Sequence, residues 1–235
     1  MSLLELQDVC KRGREGRTER ALLADVTLSV EAGELAVVWA PKRPGCSTLL
    51  RIAAGVEAPD GGTVRFDGRD LASDVEELRG VQIGYVQRSL RGAEGRSVLS
   101  LTAAGLLAHG VASSRASDAA HAALARAGAE HCAALAAGEL SEEEAVRVAL
   151  ARALALAPRL VVVEEPIAGA SLRQRDEILR LLRALADEGL AVLAGTADAT
   201  GLTGADRAFS LDEGRLQASS TPRLAPVLPL RRASG

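Results

Sequence analysis

The sequence predicts an α/β fold in which helices cover both faces of a parallel sheet. Strand-like apolar segments alternate along the chain with segments of helical period, the order expected of a parallel sheet. Two of the strand-like segments, ELAVVWA and RLVVVEE, are apolar enough to lie buried between two layers of helices. With 235 residues and 48% hydrophobic content, the chain can bury one sizeable core.

The first 68 residues supply the beginning of this pattern. The segment Leu3–Val9 alternates as a half-buried strand does, and residues 26–40 read as two strands joined at Glu31, Ala32 and Gly33. The charged segment Lys11–Arg20 is predicted to be a solvated loop. A helix is expected from Ser47, near the end of the segment APKRPGCST, to Gly55. Residues 59–68 are predicted to form a turn, a strand and a second turn.

The rest of the chain continues the alternation around a helical insertion. Residues 88–139 are rich in Ala, Leu and Arg at helical spacing and predict an inserted helical subdomain. The elements that follow are a helix from Ser141 toward Pro158, a strand at 159–165, a helix at 172–189, a strand at 190–195, and a final strand and turn at 208–216. The uncharged stretch 97–114 is interrupted by polar residues, so it is not expected to span a membrane.

Composition excludes several classes of protein. Lys and Arg number 28 against 31 Asp and Glu, a formal charge of −3, so no basic field favours nucleic acid as a partner. One Trp, one Tyr and two Phe offer no platform for stacking bases. Cys10, Cys46 and Cys132 lack C-x-x-C spacing, which predicts neither a disulfide framework nor a zinc site. No secretory signal is visible at the N-terminus, and a reducing cytosol is expected.

The order of the motifs resembles the nucleotide-binding subunit of the ABC transporter family over nearly the whole chain. The segment APKRPGCST stands where the family has its phosphate-binding loop, and IGYVQ ends at Gln87, where the family has a coupling glutamine. The segment LSEEEAVRVALARALALAPRLVVVEEP aligns without a gap with the signature motif, its helix and the Walker B strand. The segment GTAD, Gly195–Asp198, falls where the switch histidine is expected. The end of the chain is most similar to the subunits that energise exporters of the macrolide and lipoprotein type.

The resemblance implies a P-loop NTPase-like (RecA-like) core with a parallel sheet, an antiparallel β subdomain and an inserted helical subdomain of about residues 88–150. Residues 1–220 would form a single ABC-type domain, followed by a loose tail at 221–235. It also implies a vestigial site for ATP and Mg²⁺ and a vestigial catalytic base. The ATP and Mg²⁺ residues would be Gly45, Cys46, Ser47, Thr48, Gln87 and Glu164, and the base would be Glu165.

The same positions depart from the family pattern. The family's phosphate-binding motif is G-x-x-x-x-G-K-[ST]. Its four defined positions are occupied here by Ala40, Gly45, Cys46 and Ser47, so the first glycine and the lysine are missing. Pro44 inside the loop has no N–H to donate. Further along the chain, Glu164 replaces a magnesium-binding aspartate, Ala197 replaces the switch histidine, Ser171 replaces an aspartate, and Gly13 lies where an aromatic residue would stack on adenine.

The signature segment has changed as well. Where the family has L-S-G-G-Q, this chain has Leu140, Ser141 and then Glu142, Glu143 and Glu144. Ser141 with Glu144 three residues on forms a capping box at the start of a helix. The three carboxylates would also repel a nucleotide held by a facing subunit, by about 3 kcal/mol for two like charges roughly 5 Å apart at an effective dielectric of about 20.

Three functions are compatible with these residues. The favoured one is a catalytically degenerate subunit with weak or no ATP and Mg²⁺ binding, peripheral to the cytoplasmic face of a membrane. Its partners would be a multi-span permease and either a second copy or a competent ABC subunit. The second is a slow ATPase with Glu165 as base and Arg43 in place of the lysine. The third is a free-standing scaffold or regulator. His109, His121 and His131 are expected to have no functional role, and no metal site is expected.

Overall fold

Strands and helices alternate along the chain as the sequence predicts. The computed structural model describes residues 2–15, 18–41, 43–78, 81–87 and 95–219. In chain order its strands and α-helices are β1 (Ser2–Glu15), β2 (Thr18–Glu31), β3 (Leu35–Trp39), α1 (Arg43–Ala53), β4 (Gly61–Phe66), β5 (Arg69–Asp70), α2 (Leu71–Leu78), β6 (Ile83–Val86), α3 (Val98–Ala108), α4 (Ser113–Arg126), α5 (Glu142–Leu154), β7 (Leu160–Glu164), α6 (Leu172–Asp187), β8 (Ala191–Thr196), β9 (Arg207–Asp212) and β10 (Arg215–Ser219). Short 3₁₀ turns lie at Glu130–Cys132, Ala137–Glu139 and Ala199–Leu202.

The strands form two sheets. The larger has the order β10-β9-β3-β8-β7-β6, and neighbouring strands from β9 to β6 run parallel while β10 pairs antiparallel with β9. The smaller, with the order β2-β1-β4-β5, is antiparallel throughout. The predicted α/β fold, with a parallel P-loop NTPase-like core and a separate antiparallel sheet, is confirmed.

Both faces of the parallel sheet are buried. Ala36 and Val38 of β3 pack with α1 and the antiparallel sheet on one face, whereas Leu35 and Val37 pack with α5 and α6 on the other. Successive residues of a strand point to opposite faces, so a strand covered on both sides needs an unbroken apolar sequence. This requirement explains the runs in β3, β7 and β8 that carry the fold prediction.

The predicted solvated loop at Lys11–Arg20 is wrong. The strands continue through it, with Lys11 opposite Leu23 and Arg12 opposite Ala21, and only residues 16–17 between them lie outside the description. The charge on Lys11 is satisfied at the sheet surface, since its Nζ donates to Asp60 Oδ1 and to the Ala58 carbonyl, both at 2.8 Å. Backbone pairing therefore overrides a charged sequence when the side chains reach polar partners.

Several element boundaries differ from those predicted, and three of the differences have a local cause. Helix α1 begins at Arg43, four residues before Ser47, because proline is well accommodated in the first turn of a helix. Helix α5 ends at Leu154, before Pro158, and Ala157 adopts φ of +51°. The last predicted strand is a hairpin of β9 and β10, turning at Glu213 and Gly214 with φ of +48° and +79°.

The segment predicted to be helical contains α3, α4 and α5, which pack on one another. Residues 88–94 at its start and the tail at 221–235 lie outside the described residues. Among the helices that are described, none combines the length and the apolar character needed to cross a bilayer.

Candidate functional site

The residues predicted to form the site gather at one edge of the parallel sheet. Parallel strands end at the same edge, and register places Trp39 of β3 beside Thr196 of β8, and Glu164 of β7 beside Gly195. Hydrogen bonds join the segments that follow, because the N–H of Ala40 donates to the Thr196 carbonyl at 2.8 Å. Ligands of open α/β sheets bind at such carboxyl edges.

Cys46, at the position of the missing lysine, points into the protein core. The residue is 5% exposed, and its Sγ lies 3.9 Å from the carbonyl oxygen of Val38. A Cβ added to Gly195 would stand 2.6 Å from this sulfur, so the thiol packs against the backbone of β8. Burial, and then the charges of Glu165 and Glu164, raise the pKa of Cys46 to about 12. The thiol is therefore uncharged at neutral pH and supplies no cation.

The other predicted residues of the loop lie on the first turns of α1. A Cβ on Gly45 would approach the Leu22 carbonyl oxygen to 2.9 Å, so glycine is required there for packing. Ser47 is partly exposed and its side chain hydrogen-bonds to Glu164. Thr48 is buried, and its hydroxyl accepts a hydrogen bond of 3.2 Å from Arg51 Nη2. Of the three, Ser47 is the one whose hydroxyl reaches the carboxylates at the sheet edge.

The early start of α1 changes which backbone groups a phosphate could meet. In a helix that begins at Arg43, N–H groups from about the fifth residue onward are bonded within the helix. Pro44 has no N–H, so the first turn offers one donor fewer than the four of an ordinary helix start. Lys42 and the side chain of Arg43, the two cations that the sequence offers as substitutes for lysine, lie outside the described residues.

Glu164 is the centre of a polar cluster. Its Oε2 accepts from the Tyr85 hydroxyl at 2.7 Å and from Gln87 Nε2 at 3.3 Å. Burial acts to raise the pKa of Glu164, but hydrogen bonds from Ser47, Tyr85 and Gln87 outweigh it and hold the pKa below its ordinary value. The carboxylate is therefore ionised. Sequence reasoning missed Tyr85, although its position two residues before Gln87 on a strand places both on the same face.

Glu165, the candidate base, is held by the segment after β8. The residue has φ of +48°, its N–H donates to the Gly195 carbonyl at 2.8 Å, and its Oε1 accepts from the N–H of Ala197 at 3.0 Å. Trp39 Nε1 donates to the Ala197 carbonyl at 3.2 Å. These residues line a cleft of about 430 Å³ whose far side is Arg175, ion-paired with Asp198. Trp39 is half-buried at this cleft.

The helix that replaces the signature motif begins with the predicted capping box. The N–H of Glu144 donates to Ser141 Oγ at 3.3 Å, and the N–H of Ser141 donates to Glu144 Oε2 at 2.8 Å. These hydrogen bonds lower the pKa of Glu144 to about 2. Glu143 pairs with Arg147 Nε at 3.0 Å. The carboxylates of Glu143 and Glu144 therefore have partners within the chain, and the expected repulsion of a facing nucleotide is weaker than for unpaired charges.

The fold and the residues at the sheet edge define a protein of the P-loop NTPase-like α/β class. A family model described as "ABC transporter" matches residues 23–168, and the chain belongs to this family. Its curated relatives include the "Sulfate/thiosulfate import ATP-binding protein cysA" of Cucumis sativus, 33% identical over 226 residues. The match covers 94% of this chain but 63% of that relative, so the chain spans less than two thirds of the relative's length.

Solved structures have the same fold. The dimeric structure of MJ0796, described as a bacterial ABC transporter cassette, superposes with a TM-score of 0.84 at 24% identity, over 93% of this chain and 98% of the other. The structure of cbiO1 from Clostridium perfringens superposes with a TM-score of 0.81 at 24% identity, over 94% and 89% of the two chains.

Proposed function

We propose that this chain is a catalytically degenerate ATP-binding-type subunit of an ABC transporter. It binds MgATP weakly or not at all, hydrolyses none at a significant rate, and acts as a structural or regulatory half of the transporter. The observation that carries the proposal is the side chain at position 46. In place of a lysine at the β and γ phosphates, the chain has a buried thiol that packs against Gly195.

Electrostatics at the sheet edge support this reading. A triphosphate needs positive charge or convergent N–H groups, whereas the side chains that surround the Cys46 thiol include the carboxylates of Glu164 and Glu165. Arg51, in the last turn of α1, does not replace the lost cation, because it is ion-paired with Glu57 at 2.8 Å. Removing one positioned charge from a site of this kind costs several kcal/mol of transition-state stabilisation.

The magnesium side of the site is better preserved. Ser47, Gln87 and Glu164 are hydrogen-bonded in one cluster and offer the oxygen ligands that Mg²⁺ prefers. When MgATP is bound, the metal would neutralise part of the phosphate charge. The residues at hand thus fit a magnesium ion better than they fit the triphosphate, which favours weak nucleotide binding over a working ATPase.

The hydrolytic groups support the same conclusion. A general base must reach a water molecule beside the γ-phosphate, but Glu165 directs one oxygen to the N–H of Ala197. Ala197 has no imidazole to contact that phosphate. The candidate base, Glu165, is therefore held in a structural hydrogen bond. The residue at the switch position, Ala197, contributes only its backbone N–H to that bond.

The family supports a proposal about partners and location. We propose that residues 1–220 act as one domain, with the helical subdomain of about residues 88–150 and Gln87 facing a multi-span permease at the cytoplasmic side of a membrane. The relatives are described as an import ATP-binding protein and as part of the transporter complex cbiONQ, and MJ0796 is dimeric. These descriptions support a permease and either a second copy or a competent ABC subunit as partners, and the proposal holds for import and for export.

The decisive experiment is calorimetric titration of the purified chain with MgATP, beside a Cys46→Lys variant and a Cys46→Ser control of similar size. We expect no saturable heat from the parent or from Cys46→Ser at micromolar nucleotide. MgATP at 100 times its dissociation constant would add about 2.7 kcal/mol to the free energy of unfolding, so thermal unfolding gives an independent readout.

Phosphate release separates degeneracy from slow catalysis. We expect Cys46→Lys alone to release no more phosphate than the parent, because Pro44 and Ala197 are unchanged. Steady turnover by the parent that is lost in Glu165→Gln would establish the slow ATPase instead. Rapid ATP hydrolysis by Cys46→Lys would refute the proposal that the residues at other positions also prevent catalysis.

A further inference from the structure

A second group of reactive side chains lies about the start of α5. His131 and Cys132 end the 3₁₀ turn Glu130–Cys132, and Glu144 lies in the first turn of α5. One potential ligand atom from each of the three residues lies within 4.8 Å of the other two. His131 Nε2 is 3.1 Å from Glu144 Oε1. A nitrogen, a sulfur and an oxygen donor therefore converge from two separate elements.

The two carboxylate oxygens of Glu144 have different hydrogen-bond partners. Oε2 accepts the N–H of Ser141 and closes the capping box, whereas Oε1 is directed at His131. The Cys132 thiol is buried and hydrogen-bonds to the same carboxylate. The capping box fixes the rotamer of Glu144 without using the oxygen that faces the imidazole. Helix capping thus explains Ser141 and Glu144, but it explains neither His131 nor Cys132.

We propose that His131, Cys132 and Glu144 form a zinc site. Zinc binds sulfur at about 2.3 Å, and nitrogen and oxygen at about 2.0–2.2 Å, so the ligand atoms of a tetrahedral site stand roughly 3.5 Å apart. The ligand atoms lie within 4.8 Å of one another, so the longest pair closes by at most about 1.3 Å on binding. On binding, Cys132 releases its thiol proton to solvent and the thiolate becomes a ligand.

The remaining coordination position is open. A cleft of about 340 Å³ lies over His131 and Glu144, and Gly128, Ser141 and Glu143 form part of its wall. The His131 side chain is 63% exposed, so a metal ion reaches the group from solvent. Three protein ligands and one open position describe a zinc ion that keeps a water molecule, in contrast to a closed four-ligand structural site.

The donor set selects the metal. Magnesium and calcium take oxygen ligands, whereas one thiolate and one imidazole favour Zn²⁺ among the divalent ions available to cells. The site is independent of MgATP binding, because none of its ligands belongs to the candidate nucleotide site of this chain. A bound zinc ion would nevertheless place a divalent cation beside the carboxylates of Glu142, Glu143 and Glu144, and so reduce the negative charge at the start of α5.

The test is stoichiometric zinc titration of the chelator-treated full chain, with a chromophoric competitor, followed by substitution of Co²⁺. We expect one zinc ion per chain and, with cobalt, a near-ultraviolet thiolate-to-metal charge-transfer band. His131→Gln, Cys132→Ser and Glu144→Gln should each weaken zinc binding by more than about tenfold, since even loss of an outer-shell partner costs 10- to 100-fold. The cobalt charge-transfer band should disappear in Cys132→Ser.

Matched controls are Cys10→Ser and His121→Gln, which remove a cysteine and an exposed histidine elsewhere. Both should bind zinc as the parent does. His131→Gln changes an exposed side chain, so loss of binding in that variant cannot be attributed to unfolding. Absence of stoichiometric binding, or binding that survives all three ligand substitutions, would overturn the proposal and leave the group as a hydrogen-bonded helix cap.

Discussion

The carboxylate of Glu165 accepts a hydrogen bond of 3.0 Å from the backbone N–H of Ala197. The two residues follow adjacent strands, β7 and β8, at the carboxyl edge of the parallel sheet. Because the donor is a backbone group, the hydrogen bond does not depend on which side chain occupies position 197. The candidate base is thus tied to the segment that should carry the switch residue.

This hydrogen bond predicts a small effect of Glu165→Gln. The amide oxygen of glutamine can still accept from Ala197, so we expect a loss of about 1 kcal/mol in the free energy of unfolding. Phosphate release from MgATP should not change, because the parent is expected to have no turnover that depends on Glu165. Urea unfolding and a phosphate assay measure the two effects. A clear fall in phosphate release would identify Glu165 as a working base.

Gly45→Ala should destabilise the fold. The new Cβ would meet the Leu22 carbonyl oxygen at 2.9 Å, and a backbone atom cannot move aside without shifting β2. Overpacking of this kind costs roughly 1–3 kcal/mol. Gly138→Ala is the control, since a Cβ there meets nothing within 4 Å and its φ is not positive. Equal urea midpoints for the two variants would show that the contact at Gly45 is not tight.

Arg147→Met should cost more than Arg173→Met, although both arginines pair with Glu177. The Arg147 side chain is 14% exposed and also binds Glu143, whereas the Arg173 side chain is 91% exposed. Removing Arg147 takes the paired cation from Glu143, while Glu177 keeps Arg173, at a cost of about 2 kcal/mol. The exposed pair is screened by solvent and contributes little. Similar losses in urea unfolding would contradict this ranking.

Acid should abolish the contribution of the Glu144 cap. The pKa of Glu144 is lowered in the folded chain from 4.5 to about 2, so its stabilisation is complete above pH of about 4.5 and is lost as pH falls through about 2. The melting temperatures of the parent and of Glu144→Gln, measured with a chelator present, should therefore differ near neutral pH and converge in acid. The difference near neutrality should correspond to about 1 kcal/mol.

Glu130→Gln is the control for this titration. Glu130 is exposed and lies in the same region of the chain, in the 3₁₀ turn that precedes α5. Its substitution should give a melting temperature close to that of the parent at every pH. A gap between the parent and Glu144→Gln that stayed constant down to about pH 2 would show that the cap does not depend on the charge of Glu144.

The apolar strands were the most predictable part of the fold. Burial on both faces leaves an unbroken hydrophobic run, which is visible in β3, β7 and β8 without any structure. The hairpin of β1 and β2 was misread because charge is a property of side chains, whereas a strand is formed by backbone pairing. The sequence of Lys11–Arg20 does not reveal that Asp60, far along the chain, accepts hydrogen bonds from Lys11 Nζ and from the N–H of Arg12.

The candidate site was predictable where a motif has a known spacing. The alignment of motifs singled out Cys46, Glu164 and Glu165, and the two glutamates lie at the carboxyl end of β7. It could not reveal that the Cys46 thiol turns inward, because that direction follows from the small size of Gly195. The pairing of His131 with Glu144 was likewise hidden, since it depends on a short 3₁₀ turn between two helices.

The chain contains a single tryptophan, and its indole N–H donates to the carbonyl of Ala197 beside Glu165. Fluorescence excited at a wavelength that tyrosine does not absorb therefore originates at one point, the edge of the cleft between β3 and the segment after β8. A displacement of that segment would break the hydrogen bond between Trp39 and Ala197 and change the wavelength and intensity of the tryptophan fluorescence. The molecule thus carries its own optical probe of the region where its relatives are expected to sense phosphate.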